Sequence, residues 1–105
     1  MKRGEVWLVA LDPTVDTEIQ KTRPCLIVSP DEMNLALRRV IIAPLTSRSH
    51  PAPFRVPLTF RGTSGLILLD QVRAVDRRRF VKRLGSANGA TLNQALDVLL
   101  GMFGR

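Results

Sequence analysis

The sequence predicts a mainly-β domain: a small, strongly bent antiparallel barrel with one C-terminal α-helix packed on it. Three observations carry this reading. Five or six short runs rich in Val, Ile, Leu and Phe are separated by turns bearing Gly, Pro or charge. Only Thr91–Phe103 repeats its apolar residues at helical spacing. The chain of 105 residues has room for a single domain, 1–105. Closure follows from the first observation, because short strands joined by tight turns bury a shared face by bending it around itself.

Gly4–Leu11 reads as the first strand. Val6, Leu8 and Ala10 lie on one face and Trp7, Val9 and Leu11 on the other, with Glu5 the exception. A strand apolar on both faces needs cover on both. Asp12-Pro13 turns the chain into a polar loop carrying Asp16, Glu18, Gln20, Lys21 and Arg23. Pro24–Ser29 is the second strand, so Arg23 stands where loop meets strand. Pro30–Asn34 reads as a turn or one helical turn. Arg38–Leu45 is the third strand, with Val40-Ile41-Ile42 strongly β-prone. Thr46–Pro53 is a polar, proline-interrupted loop. Phe54–Phe60 alternates, and Pro57 assigns it to a sheet edge or a bulge. Arg61–Gly65 reads as a turn, Leu66–Val75 as a strand, Asp76–Arg79 as a charged turn and Phe80–Leu84 as a short last strand. Gly85–Gly89 is a loop. In the helix, Leu92, Ala95, Leu96, Leu99, Leu100 and Phe103 form one stripe, capped by Asn88 and stopped by Gly104.

The formal net charge of +7 is unevenly placed: residues 1–35 carry −2 and residues 36–105 carry +9. Such a cationic surface attracts phosphate backbones or an acidic protein. The basic residues fall mostly at strand ends and loops rather than on one face of a helix, which argues against a membrane-surface role. No stretch is long and apolar enough to span a bilayer. Met1-Lys2-Arg3 is basic, but the run after it contains Glu5 and ends at Asp12, which is no signal peptide. The one cysteine, Cys25, cannot form an internal disulfide, so the chain fits a reducing cytoplasm. One Cys and one His leave no structural zinc site, and no cofactor is expected. A chain this short is marginal alone, and a thirteen-residue helix cannot cover every apolar strand face, so a homodimer is expected.

Three residues stand out chemically. Arg23, fixed at its base and exposed at its tip, suits an anion; the alternative is an ion pair with Asp16 or Glu18. Thr46 ends the third strand, where its hydroxyl can bind a phosphate oxygen or satisfy the strand-end backbone. Asp70 follows four apolar residues; burial would raise its pKa and make it a usable acid or base, and pairing with Arg73 is the alternative. Trp7 reads as core and His50 as solvated surface. Arg77–Arg79 read as a solvated turn, with tracking of a phosphate backbone as the functional alternative.

The blocks GEVWLV at Gly4–Val9, DPT at Asp12–Thr14, EIQKTRP at Glu18–Pro24, PLTS at Pro44–Ser47 and LLDQVRAVD at Leu68–Asp76 span nearly the whole chain. Together they resemble the MazF/PemK family of ribosome-independent endoribonuclease toxins. The resemblance implies an SH3-like barrel, a homodimer, and metal-independent, sequence-specific cleavage of single-stranded RNA, chiefly mRNA. The products would be a 5′-hydroxyl and a 2′,3′-cyclic phosphate or its 3′-phosphate. The implied partner is a small acidic antitoxin. Arg23 and Thr46 match the family's catalytic positions, and Glu18 matches an acidic position important in other relatives. Asp70 matches an aspartate used by some PemK-type relatives, but Thr17 and Leu68 stand where its companion histidine and arginine would be. RNA cleavage of this kind needs a base for the 2′-OH, positive charge for the equatorial oxygens and an acid for the 5′-oxygen. Gln20, Lys21, Ser47, Arg48, Arg55 and Arg73 form the expected RNA-binding set. A gyrase-poisoning toxin of related fold and a non-catalytic RNA-binding module are the alternatives; the Glu18, Arg23 and Thr46 set speaks against both.

Overall fold

The computed structural model describes residues 1–11 and 22–105. In chain order they form β1 (Glu5–Ala10), β2 (Thr22–Ile27), α1 (Asp31–Ala36), β3 (Arg39–Thr46) and β4 (Arg55–Phe60). Then follow β5 (Thr63–Leu68), β6 (Arg73–Asp76), β7 (Phe80–Ser86) and α2 (Gly89–Phe103). The strands run antiparallel in the order β4-β5-β3-β2-β1-β7, with β6 also beside β3.

β3 is the hub. One edge pairs with β2; the other pairs with β6 over Arg39–Ile42 and with β5 at Leu45 and Thr46. The 3-10 turn Leu69–Gln71 makes the passage from β5 to β6. It interrupts the single strand expected over Leu66–Val75, and Leu69 is fully buried beneath it. The turn expected at Arg61–Gly65 is also shorter. Arg61 and Gly62 both adopt positive φ, 52° and 78°, which is the geometry of a two-residue hairpin. Thr63–Gly65 therefore belong to β5. Pro57 lies on β4, an edge strand, where a missing N–H is tolerated.

The sheet curls into a half-barrel. Among the described residues no ladder joins its two edges, β4 and β7, so the closed barrel expected from the strand pattern is open there. The edges meet through side chains: Arg61 donates to the Leu84 carbonyl, and the Phe60 ring abuts Gly85.

Curling separates two apolar clusters. The first gathers Val6, Leu26, Ala43, Leu45, Val56, Ile67 and Leu69 around Ala95 of α2. The second holds Val9, Cys25, Ile27, Val40, Ile42 and Val75, edged by Trp7 and Phe80. β1 feeds both clusters, as its two apolar faces require. Both are closed within one chain, since Val6, Val9, Ile67 and Leu69 are inaccessible. The apolar strand faces that prompted a second copy are largely covered internally, with Trp7, Leu8 and Leu66 left half-buried. Among the described residues, the exposed large apolar ones are Leu35 and Leu37, Phe54 beside β4, Val81 on β7, and Leu100, Met102 and Phe103 of α2.

Polar clips fix the helices. Asn34 is buried; its Nδ2 donates to the Ser29 carbonyl at 3.0 Å, and the Ser29 hydroxyl donates to Asn34 Oδ1 and accepts from the Ile41 N–H. This ties α1, longer than the turn expected there, to β3. At α2, Asn88 Oδ1 accepts from the Thr91 N–H at 2.8 Å, and the Gly104 N–H donates to the Leu100 carbonyl.

Candidate functional site

A cleft of about 340 Å³ opens where β2 begins and β3 ends, walled on one side by the β4–β5 hairpin. Arg23 and Thr46 both line it. Strand register explains the meeting. Cys25 lies opposite Pro44, and the same antiparallel register carried two residues further sets Arg23 beside Thr46. Arg23 is exposed, and no described residue accepts a bond from its guanidinium. Thr46 Oγ1 accepts from the Arg48 N–H at 3.2 Å, which leaves the hydroxyl proton for a ligand. Its backbone-satisfying role and a ligand-binding role are therefore compatible. Ser47 and Arg48 complete the polar rim, while Pro24, Leu45, Leu58 and Phe60 supply apolar surface.

Thr63, Ser64 and Gly65 form the facing wall. A Cβ on Gly65 would lie 2.7 Å from the Thr46 carbonyl oxygen, so glycine is what lets β5 approach the end of β3 so closely. Sequence reasoning missed this wall by assigning these residues to a turn. The available signal was Arg61-Gly62, a two-residue turn between Phe60 and Thr63.

Asp70 does not line the cleft. Arg55 grips it with two bonds, Nε to Oδ1 at 3.3 Å and Nη2 to Oδ2 at 3.2 Å, and donates a third to the His50 carbonyl. The Arg55 hydrogen bonds hold the Asp70 carboxyl below its usual range, against a smaller upward push from burial. This corrects two expectations. The carboxyl is pulled down rather than raised, and its partner is Arg55, brought near by the Arg55–Leu68 register pair, rather than Arg73. An ionised, ion-paired Asp70 is a poor proton donor at neutral pH. Arg55 is correspondingly committed to the fold.

Arg73 is exposed on β6, and its charge, after that of Arg23, acts on the Cys25 thiol. Burial nevertheless pushes that thiol up to about 12, so Cys25 is an inert core residue. Trp7 packs edge-on against Phe80, ring centroids 5.8 Å apart, and its Nε1 donates to Glu5 at 2.9 Å. That matches its reading as core. His50 is exposed. Glu18, Gln20 and Lys21 lie outside the described residues. Among the described residues, no group of three His, Cys, Asp or Glu gathers as a metal site. No described helix is long and apolar enough to cross a membrane.

A family model described as a PemK-like, MazF-like toxin of type II toxin-antitoxin systems matches residues 2–103. The chain belongs to this PemK/MazF family. It is 41% identical to the endoribonuclease PemK of Escherichia coli, over 94% of this chain and 79% of that protein. It is 32% identical to the endoribonuclease MazF9 of Mycobacterium tuberculosis, over 94% and 92% of the two chains. Among solved structures, MazF of Deinococcus radiodurans superposes with a TM-score of 0.82 at 29% identity, covering 100% of this chain and 97% of that one. A MazE–MazF structure from the same organism gives 0.80 at 27% identity, covering 99% and 95%. The half-barrel with its terminal helix is thus the PemK/MazF fold.

Proposed function

We propose that this chain is the toxin of a toxin–antitoxin pair and cuts single-stranded RNA in the Arg23–Thr46 cleft. One observation carries the reading: strand register brings a guanidinium that no described residue engages beside the Thr46 hydroxyl, in a cleft with a second guanidinium, Arg48, on its rim. A scissile phosphate placed there meets Arg23 as a fork of donors for its equatorial oxygens. The Thr46 hydroxyl donates to the same phosphate. Asp70, held by Arg55, takes no part in proton transfer; Glu18 is the candidate base for the 2′-OH. Ser47, Arg48 and Arg73, with Gln20 and Lys21, guide the flanking RNA. The 2′-OH passes its proton to Glu18 and attacks the phosphorus, the bond to the 5′-oxygen breaks, that oxygen takes a proton from water, and a 2′,3′-cyclic phosphate and a 5′-hydroxyl result. The antitoxin is an acidic partner that meets the basic second half of the chain; the solved MazE–MazF complex of a relative supports such a pairing. The toxin works in the cytoplasm as a homodimer.

The test is a long RNA incubated with purified protein in EDTA. Discrete cleavage is expected to persist, giving fragments that polynucleotide kinase labels without prior phosphatase. Activity that disappears in chelator and returns with Mg²⁺ would overturn the metal-independent chemistry, and RNA binding without cutting would favour a non-catalytic module.

A further inference from the structure

Four arginines crowd the end of β3 opposite the cleft. Arg39 pairs in register with Asp76 of β6. Arg38 and Arg78 each reach the Asp76 carboxylate, at 4.0 and 3.2 Å. Asp76 also accepts from the Arg78 N–H at 2.9 Å. Arg77 donates its N–H to the Arg38 carbonyl and its Nε to the Leu37 carbonyl. One carboxylate therefore orders two guanidiniums whose side chains remain 77% and 79% exposed. The group keeps three net positive charges. Like charges held together repel, and a polyanion relieves that repulsion. Arginine forks suit phosphate oxygens better than lysine would.

We propose that Arg38, Arg39, Arg77 and Arg78 form a second RNA-backbone site, distinct from the cleft and joined to it by Arg73. The proposal rests on the RNA-cutting reading above. Thr46 lies at one end of β3 and Arg39 at the other, seven steps of about 3.3 Å, or roughly 23 Å. Arg73 stands between them, opposite Ile42. Single-strand grooves commonly hold about 4–16 nucleotides, so one RNA can bridge both sites. Leu35 and Leu37, exposed beside the cluster, make an acidic peptide with apolar residues the competing ligand. Continuity with the cleft favours RNA.

The experiment measures binding, so it stands whether or not the protein cuts. Wild type and an Arg38→Gln/Arg78→Gln variant are titrated with fluorescent oligouridylates of about 5 and about 20 nucleotides, chosen to bracket that groove length. The double variant should bind the longer RNA about tenfold more weakly and the shorter one unchanged, and its log Kd against log salt slope should fall by about 1.4. Single Arg78→Gln should give about half that slope change, and thermal melts should match wild type. Equal loss on both lengths, or no loss on the longer RNA, overturns the proposal. Loss confined to a fluorescent polyglutamate probe, with RNA binding intact, overturns it in favour of the acidic peptide.

Discussion

Arg23 is fixed at its base by β2 and meets no described side chain at its tip. Removing one donor that stabilises a transition-state oxyanion typically costs about 10²–10³ in rate. Arg23→Ala should lose that much in single-turnover cleavage, and Arg23→Lys should also fail badly, because it keeps charge but loses the fork. RNA affinity should fall less. Cutting within about threefold of wild type by a folded Arg23→Ala protein would remove Arg23 from the chemistry. Asp70 gives a pH prediction. Its pKa is lower folded than unfolded, so its bonds to Arg55 stabilise the fold above the ordinary carboxylate pKa of about 3.9. That stabilisation fades as pH falls through the folded value. Both partners are partly exposed, at 20% and 28%, so the pair contributes about 1 kcal/mol or less. Arg55→Gln should therefore lower Tm at pH 7 by no more than about 4–8 °C, and the difference should shrink as pH falls below the ordinary carboxylate pKa of about 3.9. A gap that stays constant with pH would show that Arg55 acts by packing alone. The placement of Arg23 and Thr46 at strand ends was legible in the sequence; their proposed roles came from the family resemblance. The partner of Asp70 was not legible, because it depends on which strand β5 pairs with.

At the scale of elements, the first three strands followed from apolar, β-branched runs, the fourth from alternation, and α2 from its helical stripe. The β5–β6 region did not. Its apolar run is continuous through Leu69, so nothing local marks the 3-10 break, and Arg61 adopts a left-handed φ that a non-glycine residue rarely takes. The same misread turn hid Gly65 as a cleft residue. Gly65→Ala should force β5 away from the Thr46 carbonyl, destabilising the fold by about 1–3 kcal/mol in denaturant titrations. It should also slow cleavage beyond what partial unfolding explains, because the cleft wall moves with it. Unchanged stability and rate would mean that the strands have slack at this contact.

For the molecule as a whole, the short chain argues for partnership, although its strand faces are largely covered from within. Light scattering at micromolar concentration should report twice the 11.7 kDa chain mass. A monomer alone would contradict the proposed dimer. The sheet order has a further consequence, for the newly made chain. β1 pairs with β2 soon after both exist, but its other neighbour is β7, with Glu5 opposite Ser86. Val6 shares its cluster with Ala95. Translation adds about 5–20 residues per second, so roughly 4–17 s separate residue 10 from residue 95. Throughout that interval the nascent chain carries an open strand edge and an uncovered apolar face. While the ribosome is still making it, the chain presents the unpaired edge and apolar surface on which chaperones and proteases act.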